Sequence, residues 1–485
     1  MQNQGMHSAE DRQRFRFIRR IESLARNVGH GRFMRQGIDA FLRDQESIFA
    51  LQCDVQRAIS DYKLRARVDR QLMPHLEELR KIRWLSRRLG DAVAWSVLLH
   101  NRKVIFALAE NDRVPIPTTE SDGTRGVFGM ARTLTGPGKG LPIVHDITDV
   151  LRVGDITFMW PQDGDPTQAA FRTFELKTTR KSAILGEDGT AEVNLEVTLV
   201  SNEWFNDSTG YSFDNNAQVS PTLDNPQPVQ ERREDRRLKK QLQRMDRAKA
   251  HRDLPFHSIT ELGDSHHIAV SVRDEQAPHW AELRRAIRRA RVDGYSFFSL
   301  DEFVGYAIFY DPNGVTEENV KNSSLPDDIM NSIFTDSGDV RASQTISAMP
   351  SKEDDRFGHL VLPFYLWQVP QRAISEILRG KLMISATYNT GRIEQLFRAE
   401  GIEVKLERPL AGKDARTFTY VVRADFPGQG CVEYHSGAPW RDMFTAVHEF
   451  RGATSVVQRA LAIKNLSSEL KFEEFEKVER REPHF

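Results

Sequence analysis

The chain of 485 residues is long enough for about three domains of ordinary size. Its composition, 39% hydrophobic and 28% charged with a formal net charge of −1, is close to that of globular proteins and disfavours a disordered, collagen-like or coiled-coil class for the whole chain. No apolar run approaches the roughly 20 residues that span a bilayer, and the first residues lack the apolar core of a signal peptide, so we expect a cytoplasmic protein without membrane contact. Two cysteines, Cys53 and Cys431, are too few for a disulfide framework or a four-thiolate zinc site.

The charges are unevenly distributed along the chain. Residues 1–110 hold 21 Lys and Arg against 13 Asp and Glu, a net of +8, whereas residues 301–358 hold 4 against 12, a net of −8. This asymmetry fits one surface that meets a polyanion and another that repels it or docks a basic partner. A solvated surface is the simpler explanation of any single run of charges.

The region from residue 11 to about residue 111 is predicted to be helical, because apolar residues recur at helical spacing and Pro74 is its only proline. The most regular helix is predicted over residues 80–111 and is expected to pack on a sheet. We divide the chain into a helical N-terminal region (1–80), a central core (81–294) and a C-terminal α/β accessory domain (295–485).

Three strands are predicted over residues 143–152, 154–160 and 171–179, and the Gly- and Pro-bearing turn between the last two makes them an antiparallel hairpin. A hairpin that is symmetric around residues 161–170 places Asp155 opposite Glu175 to within one residue. The elements that follow in the central core are a β-rich run at 191–201, a loop at 206–228, a basic helix at 229–252, a strand at 266–272 and an Arg-rich helix at 280–293. Beyond them we predict a βαβ-like stretch from residue 381 to residue 425 and helices from residue 440 onward.

The most specific chemical signal is Asp155 at the head of one strand and the sequence Glu175-Leu176-Lys177 inside the next. Side chains alternate along a strand, so Glu175 and Lys177 share a face. Two converging carboxylates repel each other unless a cation neutralises them, and a hard divalent cation prefers oxygen ligands. The pattern therefore predicts a Mg²⁺ site, with Mn²⁺ as the alternative, held by Asp155 and Glu175, and Lys177 is predicted to orient a water or to stabilise charge at phosphorus.

These residues resemble the motif of the PD-(D/E)xK nuclease superfamily, in which an Asp is followed after a spacer by Glu-x-Lys. The resemblance covers roughly residues 80–275 and implies a restriction-endonuclease-like αβββαβ core, with Asp155 and Glu175 as metal ligands and Lys177 as the catalytic lysine. Two features depart from the family: Gly154 stands where a Pro is frequent, and the basic helix lacks the Gln-x-x-x-Tyr signature of the exonuclease branch. Members often carry an acid on the first core helix, for which Asp91 is the candidate.

Two acids near the candidate site leave its composition open, because Asp146 and Asp149 could replace or supplement Asp155. With either composition, the expected function is that of a magnesium-dependent DNA endonuclease, in a setting of defence against foreign DNA. The alternative is a catalytically silent nucleic-acid-binding or scaffold protein that keeps the nuclease fold. DNA is the expected partner. The C-terminal region is expected to take part in recognition, in forming a homo-oligomer or in binding a partner protein.

The basic helix suggests where a nucleic acid would bind. Arg236, Lys240, Arg244 and Arg247 recur at spacings that put them on one helix face. We predict that this face follows a phosphate backbone, against the alternative of a solvated helix. In that alternative the Arg-rich N-terminal region becomes the binding surface.

Overall fold

The structure is a computed structural model, and it divides the chain into two compact units. The residues that it describes are 8–28, 37–109, 122–133, 135, 140–162, 165–185, 191–200, 240, 243–249, 258–262, 265–269, 278–334, 343–350, 361–406, 418–426, 430–436 and 439–469. Unit 1 comprises Met1–Asp253 with Pro363–Leu366, and unit 2 comprises Leu254–Leu362 with Trp367–Phe485. The predicted boundary at residues 80 and 81 falls inside a helix of unit 1, and the one at residues 294 and 295 falls inside unit 2.

Unit 1 begins with a layer of helices. In chain order they are α1 (Ala9–Val28), α2 (Ile38–Arg65), α3 (Met73–Val97), α4 (Arg102–Ala109) and α5 (Asp122–Thr133). Large apolar side chains at helical spacing form the core between α1, α2 and α3, among them Phe17, Ile21, Phe41, Leu51 and Leu79, each at most 1% exposed. Burying each such side chain stabilises the fold by about 1.5–3 kcal/mol. Pro74 stands in the first turn of α3, where its missing N–H group costs no hydrogen bond.

The prediction of a single helix over residues 80–111 is wrong, because the helical conformation is interrupted between α3 and α4. Leu99 and His100 have φ angles of 52° and 58°, which a right-handed helix does not allow. Asn101 then starts α4, since its side-chain oxygen accepts a hydrogen bond from the backbone N–H of Val104 at 3.2 Å. This capping signal competes with the apolar periodicity that runs through both helices.

The sheet of unit 1 is an antiparallel meander. Its strands are β1 (Leu141–Val144), β2 (Ile156–Gln162), β3 (Asp165–Leu185) and β4 (Ala191–Val200), in the order β1-β2-β3-β4. Ile156 pairs with Phe174 and Trp160 with Ala170, which confirms the predicted hairpin register. The first strand is shorter than predicted, because the chain turns into a 3-10 helix over His145–Ile147 directly after β1.

Two glutamines and one glycine join the helices to this sheet. The side chain of Gln45 in α2 donates to the carbonyl of Pro142 (2.9 Å) and accepts from the N–H of Val144 (3.0 Å), which satisfies backbone groups of β1. Gln52 in α2 donates to the carbonyl of Ile147 at 2.9 Å. A Cβ atom at Gly90 would lie 1.8 Å from the oxygen of Ile147, so α3 approaches the 3-10 helix this closely only with glycine there.

Unit 2 contains three separate antiparallel sheets in the residues described. Their strands are β5 (Ser258–Leu262), β6 (Ser265–Ala269), β7 (Tyr295–Leu300), β8 (Val304–Tyr310), β9 (Ser343–Met349), β10 (Leu382–Asn389), β11 (Glu403–Leu406), β12 (Phe418–Phe426) and β13 (Gly430–Ser436). The sheet orders are β5-β6, β7-β8-β10-β9 and β11-β12-β13.

The helices of unit 2 are α6 (Trp280–Asp293), α7 (Glu317–Lys321), α8 (Leu325–Ile333), α9 (Gln371–Leu378), α10 (Thr390–Ala399), α11 (Pro439–His448) and α12 (Thr454–Glu469). Helix α6 coincides with the predicted Arg-rich helix. The predicted βαβ-like stretch is wrong: β10 is flanked by β8 and β9, so β11 on the far side of α10 belongs to another sheet. The mixed helix and sheet composition expected from the sequence is confirmed, and none of the described helices has the length and apolar character needed to cross a bilayer.

Candidate active site

The hairpin of β2 and β3 holds Asp155 against the strand that carries Glu175 and Lys177. The N–H of Asp155 donates to the carbonyl of Phe174 at 2.8 Å. In return, Oδ2 of Asp155 accepts the N–H of Leu176 at 2.7 Å, and Leu176 is the residue between Glu175 and Lys177. The Asp155 carboxylate is thereby anchored at the centre of the Glu-x-Lys sequence.

Gly154 permits this arrangement. Its φ angle is +77°, in the left-handed region that other residues rarely adopt. A Cβ atom there would lie 2.4 Å from Cγ2 of Thr173 and 2.9 Å from the carbonyl oxygen of Phe174. Proline, whose φ is fixed near −65°, cannot take this conformation, so the backbone at residue 154 excludes a proline.

A buried polar column lies on the face of the sheet that carries Glu175, since Thr173 stands two residues before Glu175 in β3 and pairs with Thr157 of β2. It consists of His145, Thr157 and Thr173, which are 4%, 0% and 0% exposed. The hydroxyls of Thr157 and Thr173 lie 2.7 Å apart across the two strands, and Thr157 Oγ1 lies 2.8 Å from Nε2 of His145. The other ring nitrogen of His145 lies 2.9 Å from the carbonyl oxygen of Gly154.

The direction of these hydrogen bonds follows from their partners. A carbonyl oxygen only accepts, so we assign the proton of His145 to Nδ1, which donates to Gly154. Nε2 then accepts from Thr157, and Thr157 accepts from Thr173. Burial lowers the pKa of His145 to about 4, so the ring is neutral at pH 7 and holds the turn that carries Asp155.

The unfolding free energy of unit 1 should depend on pH through His145. The native ring has a pKa of about 4 against 6.5 as the ordinary value, so between these two values the unfolded chain binds the additional proton. The contribution of the neutral His145 ring to the unfolding free energy is fully present above pH 6.5 and is lost as the pH falls toward 4. The loss is at most about 1.4 kcal/mol per pH unit, about 3 kcal/mol in total.

Urea unfolding followed by pulsed hydrogen–deuterium exchange of peptides from β2 and β3 measures this loss. In His145→Gln the amide still donates and accepts but does not titrate, so its pH dependence over this range should be flatter than that of the wild type. His100→Asn is the matched control, because His100 is exposed and asparagine tolerates its left-handed backbone. Parallel curves for the wild type and His145→Gln would contradict the assignment.

A second buried network shapes the loop between β1 and β2. Arg87 of α3 donates from Nε to Asp149 at 3.0 Å and from Nη1 to the side-chain oxygen of Gln52 at 2.8 Å, and it also donates to the carbonyls of Asp146 and Thr148. Burial raises the pKa of Asp149, but Arg87 and Arg152 more than offset it, so this pKa lies below its ordinary value. The network fixes the path of the chain toward Asp155.

Asp91 and the two alternative acids have structural partners in this network. Oδ1 of Asp91 accepts the N–H groups of Asp149 (2.6 Å) and Val150 (3.0 Å), and Oδ2 accepts from Arg88 at 3.0 Å. Asp91 is fully buried, and its two bonds to Asp149 and Val150 tie α3 to the loop, whereas the bond from Arg88 lies within α3. The hydroxyl of Thr124 donates to Asp146 at 3.2 Å, and burial raises the pKa of Asp146.

Lys177 lies in β3, where its backbone is paired with Thr198 of β4. Its side chain lies outside the described part of the structure, so the predicted position of its ammonium group stays a prediction. Among the side chains that are described, no three His, Cys, Asp or Glu groups converge to hold a metal ion. Asp155 and Glu175, the two predicted metal ligands, are both half-buried.

The predicted phosphate-binding face of the basic helix is not a uniformly exposed surface. Residues 243–249 are helical, and Arg236 lies outside the described residues. Lys240 and Arg247 are exposed, whereas Arg244 is only 8% exposed. Met245 and Ala248 are buried beside it, so packing of the apolar positions draws Arg244 inward.

Sequence reasoning missed the polar column. A signal was present, because Thr157 stands two residues after Asp155 and Thr173 two residues before Glu175, so both hydroxyls share the face of the carboxylates. His145 gave no such signal, since its position depends on the 3-10 helix that replaces the predicted strand.

Comparison of the chain with protein-family models, with curated proteins and with solved structures finds no match.

Proposed function

We propose that the chain is a metal-dependent nuclease of the PD-(D/E)xK type that hydrolyses phosphodiester bonds in DNA. The observation that carries the proposal is the hydrogen bond from the N–H of Leu176 to Asp155, which joins the isolated acid to the Glu-x-Lys sequence on the neighbouring strand. The resemblance to this superfamily also underlies the proposed setting, defence against foreign DNA.

The donor set fits a hard cation. Two carboxylates on adjacent strands are suitable for Mg²⁺, which commonly binds one or two carboxylates and keeps several waters. Asp155 and Glu175 would hold the ion. When bound, Mg²⁺ polarises a phosphoryl oxygen and lowers the pKa of a coordinated water.

The chain's own residues orient these groups. Leu176 and the turn at Gly154 fix Asp155, and the neutral ring of His145 holds that turn through the Gly154 carbonyl. Lys177 is the proposed residue that stabilises negative charge at phosphorus or orients the attacking water. Because these supports are buried and hydrogen-bonded, Asp155 needs little reorganisation during the reaction.

The proposed αβββαβ core uses α3 as its first helix and β1, β2 and β3 as its three strands. The structure differs from the simplest αβββαβ order in two respects. A long hairpin adds β4 directly after β3, and β6, at the position of the last predicted core strand, pairs with β5. The proposal therefore rests on the β2–β3 hairpin and on α3.

The direct test is a cleavage assay with the full-length chain. Supercoiled, linear and single-stranded DNA and RNA are incubated with Mg²⁺, with Mn²⁺ and with EDTA, and products are separated on gels. We expect DNA cleavage that requires the metal and stops in EDTA. Absence of cleavage of every substrate under both metals would contradict the proposal.

One observation favours the second candidate, a catalytically silent nucleic-acid-binding protein. Among the described side chains, no third acid joins Asp155 and Glu175. In that case DNA binding should persist in the same preparations without any cleavage.

A further inference from the structure

Helix α1 carries a line of arginines along its exposed side. Arg12, Arg16, Arg19 and Arg26 are spaced by four, three and seven residues, which places them on one helix face, and all four are exposed. We call this set the arginine stripe. It extends over about 21 Å at a rise of roughly 1.5 Å per residue.

The remaining arginines of α1 differ from the arginine stripe in their partners. Arg14 pairs with Glu78 at 3.3 Å, and Arg20 pairs with Asp54 at 2.6 Å, so the flanks of α1 are neutralised by acids of α3 and α2. Within the part of the chain that the structure describes, the arginine stripe has no ion pair. None of its four guanidinium groups is therefore held by a described acid, unlike those of Arg14 and Arg20.

The arginine stripe is held on a rigid support. The opposite face of α1 buries Phe17, Ile18 and Ile21 in the core of unit 1, so this packing fixes which side of the helix faces solvent. Arg19 lies over the exposed ring of Phe15, with Cζ at 4.3 Å from the ring centroid, which restrains one guanidinium group further.

We infer that the arginine stripe is a docking surface for the phosphate backbone of double-stranded DNA. A duplex presents about one phosphate charge per 1.7 Å of axis, so guanidinium groups along about 21 Å can all meet phosphates. Base stacking is disfavoured, because the Arg19 guanidinium already lies over one face of Phe15, the exposed aromatic ring of α1. Insertion into a membrane is disfavoured, because the apolar face of α1 is already buried.

The choice of DNA rests on the proposed function, but the arginine stripe shares no residue with the proposed cleavage site, so its binding can be measured without catalysis. The test is therefore performed in EDTA, with the full-length chain and a short fluorescent duplex, by anisotropy between about 50 and 200 mM salt. The variant is R12Q/R16Q/R19Q/R26Q, since glutamine is a good helix former that carries no charge. We expect a loss in affinity of tenfold or more at the lowest salt, and a log–log salt slope smaller by about 0.9 for each lost contact.

The matched control removes the same number of charges from ion-paired positions of unit 1. The control variant is R14Q/R57Q/R80Q/R132Q, whose partners in the wild type are Glu78, Asp54, Glu77 and Glu46. It changes the net charge equally but leaves the arginine stripe intact, so its affinity and salt slope should stay close to those of the wild type.

Three results would overturn the inference: unchanged binding by the stripe variant, equal losses in both variants, or binding of the wild type to anionic phospholipid vesicles but not to DNA. Circular dichroism establishes that both variants fold. If the fourfold variant does not fold, R12Q/R26Q removes only the two ends of the arginine stripe and should lower the slope by about 1 to 2.

Discussion

Asp155→Asn, Glu175→Gln and Lys177→Met should each nearly eliminate DNA cleavage by the full-length chain while leaving unit 1 folded. The first two remove the charge of a proposed metal ligand without changing its shape. Loss of the several kcal/mol that a bound cation supplies corresponds to a rate at least about 10³-fold lower. Removing the Lys177 ammonium should lower the rate by about 10²–10³-fold.

Asparagine is chosen at residue 155 because its side-chain oxygen can still accept the N–H of Leu176. The variant therefore tests the charge of Asp155 while keeping this hydrogen bond. Asp69→Asn is the matched control: Asp69 also accepts a backbone N–H, that of Gln71 at 2.9 Å, but on an exposed turn. Initial rates of plasmid nicking under saturating Mg²⁺ measure the effect. Cleavage at the wild-type rate by Asp155→Asn or Glu175→Gln would remove that residue from the site.

Asp91→Ala should lower the unfolding free energy of unit 1 by about 3–5 kcal/mol, the largest stability change that we expect. The substitution leaves Arg88, which is 5% exposed, without its partner Asp91 and removes the acceptor of two backbone N–H groups. Urea unfolding followed by exchange of β2 and β3 peptides measures the change.

Two further variants separate the charge of Asp91 from its hydrogen bonds. Asp91→Asn keeps an acceptor for the loop but not the charge, so a smaller loss of about 1–3 kcal/mol is expected. Adding Arg88→Met removes the other buried charge and should recover part of that loss. A well-folded Asp91→Asn protein that does not cleave DNA would show that the bonds of Asp91 also position the loop that leads to Asp155.

The β2–β3 hairpin shows how far local sequence information extends. Its turn and its alternating pattern are local, and side chains on a strand alternate with a period of two residues. The register of Ile156 with Phe174, and with it the approach of Asp155 to the Glu175 strand, was therefore predictable. Helix α6 was predictable for the same reason, since its apolar and charged positions follow one helical period.

Other predictions failed where a distant partner or a local cap competed with periodicity. Helix 80–111 breaks at Leu99 and His100. The first strand stops at Val144, and its continuation forms a loop bound by Arg87 and Asp91 of α3. Arg244 is buried although its spacing placed it with exposed basic residues.

The sequence by itself determined the mixed helix and sheet composition, the β2–β3 hairpin and the candidate residues Asp155, Glu175 and Lys177, because these depend on short-range patterns. Only the tertiary structure decided that Asp91 supports a loop, that His145 holds the Gly154 turn and that Arg14 and Arg20 are paired with acids, whereas the arginine stripe has no ion pair among the described residues. The physical reason is that burial and ion pairing are set by residues that are far apart in the chain, and no local pattern specifies which of them meet.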